Sequence, residues 1–187
     1  SCDDLYCFAL AEVPKFFSPR RALGRWYRYH LPYRGQDLDM MTMAANEFEG
    51  EHEFRSFCKP DGKVTLRSLR QVTVLREGEM IIIDIMAREF LRNMVRRIVS
   101  CLDQIGQGRV TLEEIRAALQ GQGRSMGLAD AEGLFLMDVD LGLDWEHPPA
   151  GRMATVVAEE AHRARVHLCF EEALQEKAML AKKNPGL

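Results

Sequence analysis

The segment "LRSLRQVTVLREGEMIIIDIMAREFLRNMVRRIVSCL", residues 66–102, carries two strand patterns followed by one helix pattern. Residues 66–76 and 80–88 flank the short turn EGE and are rich in β-branched and apolar side chains, which predicts a β-hairpin. Residues 88–105 then repeat apolar side chains at helical spacing, and the segment GQG at 106–108 ends the predicted helix. One face of that predicted helix carries Leu91, Val95, Ile98, Leu102 and Ile105. A hairpin that leads into an amphipathic helix favours an α+β fold over a doubly wound parallel sheet.

The segment "RWYRYHL", residues 25–31, predicts another strand because aromatic and polar side chains partly alternate and Pro32 ends it. Alternation places Tyr27 and Tyr29 on one face, with Trp26 and Arg28 on the other. The tyrosines could be core aromatics, or a phenol at the end of a basic loop could stack on a nucleic-acid base.

The remaining elements follow from capping and turn signals. We predict strands at residues 5–13 and 131–141 and a helix at residues 37–48 that Asp37 caps. Thr111 begins a further helix, with Glu114 at the capping-box position. The chain after residue 151 is predicted to be helical.

The predicted helix at residues 88–105 carries an unusual concentration of arginine opposite its apolar face. That arc contains Arg92, Asn93, Arg96, Arg97, Ser100 and Asp103. Solvated arginines are the more common outcome, but Arg96 directly follows the buried-face pair Met94 and Val95. A planar guanidinium at that position could bind a carboxylate or a phosphate in a bidentate manner.

Charge distribution is more informative than the net charge of -3 over 187 residues. Residues 13–36 contain six basic side chains and no acidic one. The six are Lys15, Arg20, Arg21, Arg25, Arg28 and Arg34. A locally basic surface on a mildly acidic protein indicates selective contact with phosphate groups.

Several classes of protein are disfavoured by the sequence. The five cysteines are odd in number and form no CxxC, so neither a disulfide framework nor a zinc site is indicated, and a reducing cytosol fits best. No phosphate-binding glycine loop and no G-x-S-x-G occurs. No apolar run approaches the roughly 20 residues needed to span a bilayer.

The residues alone therefore predict an α+β domain with a basic, aromatic edge that faces RNA. Three interpretations stay open: an RNA-modifying enzyme, a catalytically empty RNA-binding module, and an interaction domain whose basic loop meets an acidic protein. The residues alone do not decide among these three interpretations.

Four segments together resemble the tRNA pseudouridine synthase A family. They are "FSPRRALGRWYRYHLP" (17–32), "FRSFCK" (54–59), "IIIDIMAREFLRNMVRRIVSCL" (81–102) and "AEGLFLMDV" (131–139). The most specific match is F-x-x-x-M-V-R, which runs from Phe90 to Arg96. Order and spacing agree over residues 5–141.

This resemblance implies a mixed, largely antiparallel sheet flanked by helices, with a basic cleft. It also implies a cytoplasmic homodimer that isomerises uridine to pseudouridine in the anticodon stem-loop of tRNA, without a cofactor or a metal. Tyr27 matches the family's active-site tyrosine, Arg96 matches the arginine that pairs with the catalytic aspartate, and Leu134 matches an apolar pocket residue. The arginines assigned to RNA are Arg20, Arg21, Arg25, Arg28, Arg92 and Arg97.

One departure from the family pattern is serious. The catalytic aspartate of the family lies in a G-R-T-D-x-G-V-H motif, and this motif does not occur in the 187 residues. Asp84, Asp130 and Asp138 lie in other contexts. We therefore expect residues 1–145 to be the later part of a catalytic core and residues 146–187 to be a helical tail. The chain alone is expected to be inactive; a natural RNA-binding relative without catalysis is the alternative.

Overall fold

The computed structural model describes residues 9–59, 61–62, 64–147 and 151–183, and the chain divides into two compact units. The larger unit comprises residues 16–142. Its elements are β1 (Gly24–Pro32), α1 (Leu38–Glu47), β2 (Gly50–Glu53), β3 (Leu66–Glu77), β4 (Met80–Ala87), α2 (Met94–Gly106), α3 (Leu112–Leu119) and β5 (Leu134–Asp140). Short 3-10 helices at Pro19–Arg21 and Arg55–Phe57 precede β1 and follow β2.

The five strands form one sheet in the order β2-β3-β4-β1-β5, and every neighbouring pair is antiparallel. The predicted hairpin is confirmed, since β3 pairs with β4 from Glu77 opposite Met80 to Leu69 opposite Ala87. Gly78 has a φ of 59° in its turn, a conformation that favours glycine. Strands and separate helices in this arrangement confirm the α+β class.

The two faces of the sheet differ in the way that the alternation of β1 predicts. Ile81, Ile83 and Ile85 of β4 are fully buried on the face that the helices cover. Burial of each such side chain stabilises the fold by about 1.5–3 kcal/mol. Tyr27 and Tyr29 of β1 point to the same side and join this core. Trp26 and Arg28 point to the opposite face.

Helix α2 begins later than the sequence predicted. Residues 88–93 are not helical, and the helix starts at Met94 because Asn93 has a φ of 65°. A residue in this left-handed region cannot continue a right-handed helix. Arg92 therefore lies before α2, and its predicted place on a helical arc with Arg96 is wrong. The apolar face from Val95 to Ile105 is buried as expected.

The other predicted caps are present. Asp37 accepts a hydrogen bond from the amide of Met40 at 3.0 Å at the start of α1. The amide of Glu114 donates to Thr111 Oγ1 at 3.2 Å, and the amide of Thr111 donates to Glu114 Oε2 at 2.9 Å. This reciprocal pair forms the capping box of α3.

The second unit comprises the described residues of 9–15 and 143–183. Leu10 and Glu146 form an isolated antiparallel bridge, and helix α4 spans Gly151–Lys183. Residues 5–8 of the predicted first strand lie outside the described residues, and residues 11–13 are not a strand. The division into residues 1–145 and 146–187 stays a prediction. Among the described residues, no helix has both the length and the apolar character to cross a membrane.

Candidate active-site cleft

Tyr27, Arg96 and Leu134 line one cavity of about 280 Å³ on the helix-covered side of the sheet. Tyr27 lies in the middle of β1, opposite Ile85 on one side and Leu136 on the other. Arg96 comes from the first turn of α2, and Leu134 begins β5. The remaining lining residues are Phe90, Leu91, Asn93, Met94, Val95 and Ala131. The structure thus brings together the three residues that sequence reasoning assigned to the pocket.

The ring of Tyr27 is half-buried and packs against Phe90. The two ring centroids are 5.1 Å apart and the planes meet at 87°, an edge-to-face contact. This contact orients the phenol at the cavity wall. Phe90 was not named as a site residue from the sequence, although it begins the F-x-x-x-M-V-R match.

Arg96 is held by the backbone of the loop before β5. Its Nε donates to the carbonyl oxygen of Ala129 at 2.6 Å, and the amide of Ala129 donates back to the carbonyl oxygen of Arg96 at 3.1 Å. Among the described residues, the terminal nitrogens of Arg96 have no hydrogen-bond partner and no ion pair. The guanidinium is therefore fixed in orientation and still has donors available for an anion.

Tyr29 of β1 holds the same loop through a hydrogen bond to its backbone. The side chain is 4% exposed, and its hydroxyl donates to the carbonyl oxygen of Asp130 at 3.0 Å. Burial raises the pKa of Tyr29, so the phenol stays protonated and remains a donor. A Cβ on Gly133 would lie 2.7 Å from the carbonyl oxygen of His30 and 2.8 Å from the Tyr29 ring. The glycine of the AEGL segment is thus required by close packing against β1.

The start of α2 adds to the anion preference of the cavity. Asn93, which lines the cavity, is the one non-glycine residue with positive φ in the described part of the chain. It turns the backbone so that the first helical residues, Met94 to Arg96, border the cavity. The amino end of a helix carries partial positive charge. This field and Arg96 act in the same direction.

The charge of the cavity lining is one-sided. Its nine lining residues include Arg96 and no carboxylate. Across the described residues, no cluster of three or more His, Cys, Asp or Glu side chains could hold a metal ion. A carboxylate that pairs with Arg96 would have to come from residues other than these nine.

A second cavity, which we call the basic cavity, adjoins the first and has a volume of about 610 Å³. Both are lined by Tyr27, Phe90 and Leu91. The basic cavity is also lined by Arg20, Arg25, Arg67, Arg92, Asp61 and Glu89. Three of the arginines that sequence reasoning assigned to RNA therefore lie beside the Tyr27–Arg96 cavity.

The other three arginines lie elsewhere. Arg21 is exposed in the first 3-10 helix and lines neither cavity. Arg28 lies on the opposite face of the sheet, where its Nε and one terminal nitrogen donate to Asp84 at 2.9 and 2.8 Å. Arg97 donates to Ser125 Oγ and to the carbonyl oxygen of Gly127, so it holds the loop after α3.

Known proteins resemble this chain over more than half of its length. Residues 44–140 match the family described as tRNA pseudouridine synthase. The tRNA pseudouridine synthase A of Pyrococcus abyssi is 38% identical over 141 residues, which are 73% of this chain and 54% of that protein. The tRNA pseudouridine synthase A of Methanoculleus marisnigri is 33% identical over 165 residues, covering 87% and 61%.

The chain spans about half the length of the curated relatives it matches. Among solved structures, a chain in the crystal structure of a Cbf5-Nop10-Gar1 complex aligns with a TM-score of 0.35 and 20% identity. That alignment covers 64% of this chain and 31% of the other.

Proposed function

Because the chain belongs to the tRNA pseudouridine synthase family, we propose that it forms part of an active site that isomerises uridine to pseudouridine in the anticodon stem-loop of tRNA. The observation that carries the proposal is the shared cavity of Tyr27, Arg96 and Leu134. These residues come from β1, α2 and β5, which are far apart in sequence. Their convergence is what a base-binding pocket needs.

The target uridine must leave its stack before the reaction, at a cost of a few kcal/mol. Tyr27 offers an aromatic surface that offsets part of this cost, since base–aromatic stacking contributes about 1–3 kcal/mol. Leu134 and Leu91 add apolar walls that exclude water from the base. The edge-to-face contact with Phe90 fixes the orientation of the Tyr27 ring before the base binds.

The reaction breaks the bond between C1′ of the ribose and N1 of uracil and forms a bond between C1′ and C5. C5 loses a proton and N1 gains one, so the product is an isomer and no cofactor is required. A carboxylate must stay ionised in the cavity to act on the nucleotide. Arg96 favours that charged form through bidentate hydrogen bonds.

The carboxylate itself is proposed to come from a residue outside the lining of the Tyr27–Arg96 cavity. No acidic residue is among the nine that line it. The positive end of α2 and the free donors of Arg96 would attract such a group. We propose an aspartate, as the resemblance to the family implies.

Phosphates of the RNA are proposed to lie in the basic cavity. Arg20 and Arg92 are exposed at that site and border the wall that it shares with the Tyr27–Arg96 cavity. Contacts with phosphates fix the register of an RNA without reading its sequence. With the tRNA substrate we propose a cytoplasmic location and a homodimeric assembly, both implied by the family.

The direct test uses the protein expressed from its complete reading frame and a tRNA transcript. Pseudouridine is counted by adduct-based sequencing. Arg96→Ala and Tyr27→Ala should each remove most of the product, whereas Arg70→Gln, on the opposite face of the sheet, should leave it unchanged. RNA binding without pseudouridine in the parent protein would favour the catalytically empty RNA-binding module instead.

A further inference from the structure

We propose that Arg67 of β3 binds a phosphate of the RNA next to the nucleotide that enters the Tyr27–Arg96 cavity. This inference rests on the proposed function and adds a residue to it. Arg67 lies in a segment that sequence reasoning treated only as one strand of a hairpin. The structure places it in the basic cavity with Arg20, Arg25 and Arg92.

The guanidinium of Arg67 is fixed but incompletely satisfied. One terminal nitrogen donates to the carbonyl oxygens of Val64 and Leu66 at 3.0 and 2.7 Å. The Nε is buried and has no hydrogen-bond partner, and Glu89 Oε2 lies 3.9 Å from it, too far for a hydrogen bond. A buried donor without a hydrogen-bond partner destabilises the structure, because it has lost its water without gaining an acceptor. A ligand that accepts a hydrogen bond there would remove this destabilisation.

The second edge of the Arg67 guanidinium has the geometry that a phosphate prefers. With one terminal nitrogen bound to backbone carbonyls, Nε and the other terminal nitrogen form this edge, which makes no hydrogen bond and faces Glu89 in a long ion pair. Two parallel N–H groups on that edge match two oxygens of a phosphate, which is why arginine binds this group in a bidentate manner. The anchored nitrogen keeps the edge from rotating away.

Arg25, by contrast, is engaged by the backbone. Its terminal nitrogens donate to the carbonyl oxygens of Arg88 and Arg20. Arg25 thereby links the first 3-10 helix to the end of β4 and positions Arg20, which is exposed. Phosphate contact in the basic cavity therefore falls to Arg20, Arg67 and Arg92.

The balance of charge around Arg67 favours an anion. Four arginines line the basic cavity, against the two carboxylates Asp61 and Glu89. The side chain of Glu89 is 61% exposed, so it can turn into solvent when a phosphate approaches Arg67. The shared wall of Tyr27, Phe90 and Leu91 places such a phosphate beside the base cavity.

The test measures the affinity of the full protein for an anticodon stem-loop RNA over a range of KCl concentrations. Loss of one phosphate contact lowers the slope of log K against log salt by about 0.7–0.9. Arg67→Gln should show that loss, as should Arg20→Gln. Arg70→Gln, on the same strand but beside Trp26 and Asp138 on the opposite face, should keep the parent slope.

Arg67→Lys keeps the charge and loses the bidentate edge. We expect it to keep the parent slope and to bind RNA more weakly at every salt concentration. If Arg67→Gln does not fold, Arg67→Lys provides the test of Arg67 instead. A parent slope and affinity in the folded Arg67 variants, with a reduced slope in Arg20→Gln, would overturn the role of Arg67 and leave the proposed function intact. Failure of the isomerisation assay would instead remove the proposed function.

Discussion

Arg96 and Ala129 are joined by two reciprocal hydrogen bonds. The Nε of Arg96 donates to the carbonyl oxygen of Ala129, and the amide of Ala129 donates to the carbonyl oxygen of Arg96. The loop that precedes β5 is thereby joined to the first turn of α2. Because the loop continues to Ala131 and Leu134, the same contact positions two walls of the cavity.

The hydroxyl of Tyr29 is expected to stabilise this loop. Tyr29→Phe removes the hydrogen bond to the carbonyl oxygen of Asp130 and should lower the free energy of unfolding by about 1 kcal/mol. Hydrogen exchange at the amide of Ala129 should become faster as the loop loosens. Tyr33→Phe is the control, because it removes a phenol hydroxyl at a different place. The Tyr33 ring stacks on the guanidinium of Arg76, whose Cζ lies 3.8 Å from the ring centroid. Equal protection of Ala129 in both variants would show that Tyr29 does not hold the loop.

Gly133 tests how closely β5 approaches β1. Gly133→Ala places a methyl group 2.7 Å from the carbonyl oxygen of His30, so backbone must shift. We expect a loss of about 1–3 kcal/mol in urea unfolding, the range for overpacking. Gly24→Ala is the matched control in the same sheet, because its Cβ would meet Asp140 at an ordinary 3.7 Å. A neutral Gly133→Ala variant would contradict the close approach.

The sequence predicted the elements whose signals are local. The hairpin β3–β4 follows from its β-branched runs and the turn at Gly78, and the capping box of Thr111 and Glu114 follows from their spacing. Alternation in β1 also assigned Tyr27 and Trp26 to the correct faces. These patterns depend on residues within a few positions of each other.

Features that depend on tertiary contacts were missed. Strand β2 has only four residues, GEHE, and it is defined by its pairing with β3. The late start of α2 depends on the left-handed conformation of Asn93, which apolar spacing does not reveal. Arg67 looked like an ordinary strand residue because its neighbours in the basic cavity come from distant segments.

The left-handed backbone conformation at position 93 is expected to favour asparagine over most other residues. Asparagine tolerates positive φ, whereas for alanine and most other residues this conformation is less favourable by roughly 1–2 kcal/mol. Asn93→Ala should therefore lower the free energy of unfolding by about 1 kcal/mol. Asn93→Gly should stay close to the parent, because glycine adopts the conformation readily. Equal stability of the two variants in thermal melts would argue against the left-handed turn before α2.

Asp84 should make stability depend on acid pH. Burial opposes its ionisation, but hydrogen bonds from Arg28 and Trp26 outweigh burial and hold the pKa of Asp84 below its usual range. The stabilisation is therefore complete above the unfolded value of about 3.9 and is lost as pH falls through the lower folded value. Asp84→Asn should be less stable at neutral pH and should lose less stability below pH ~4. Glu79→Gln, at a 90% exposed carboxyl, should follow the parent curve in urea titrations across this pH range.

The last prediction is that the 187-residue chain alone binds the stem-loop RNA but makes no pseudouridine. The cavity supplies an aromatic surface at Tyr27 and free donors at Arg96, and neither side chain provides the carboxylate that the reaction needs. An arginine stays protonated and cannot act as a nucleophile. A transcript incubated with this chain should therefore show RNA binding in a filter assay and no adduct-detected pseudouridine. Arg20→Glu should weaken the binding and flatten its salt dependence, which separates failed catalysis from failed binding. Multiple turnovers by the chain alone would mean that one of its own carboxylates reaches Arg96, and Asp84→Asn, Asp130→Asn and Asp138→Asn would then identify which one.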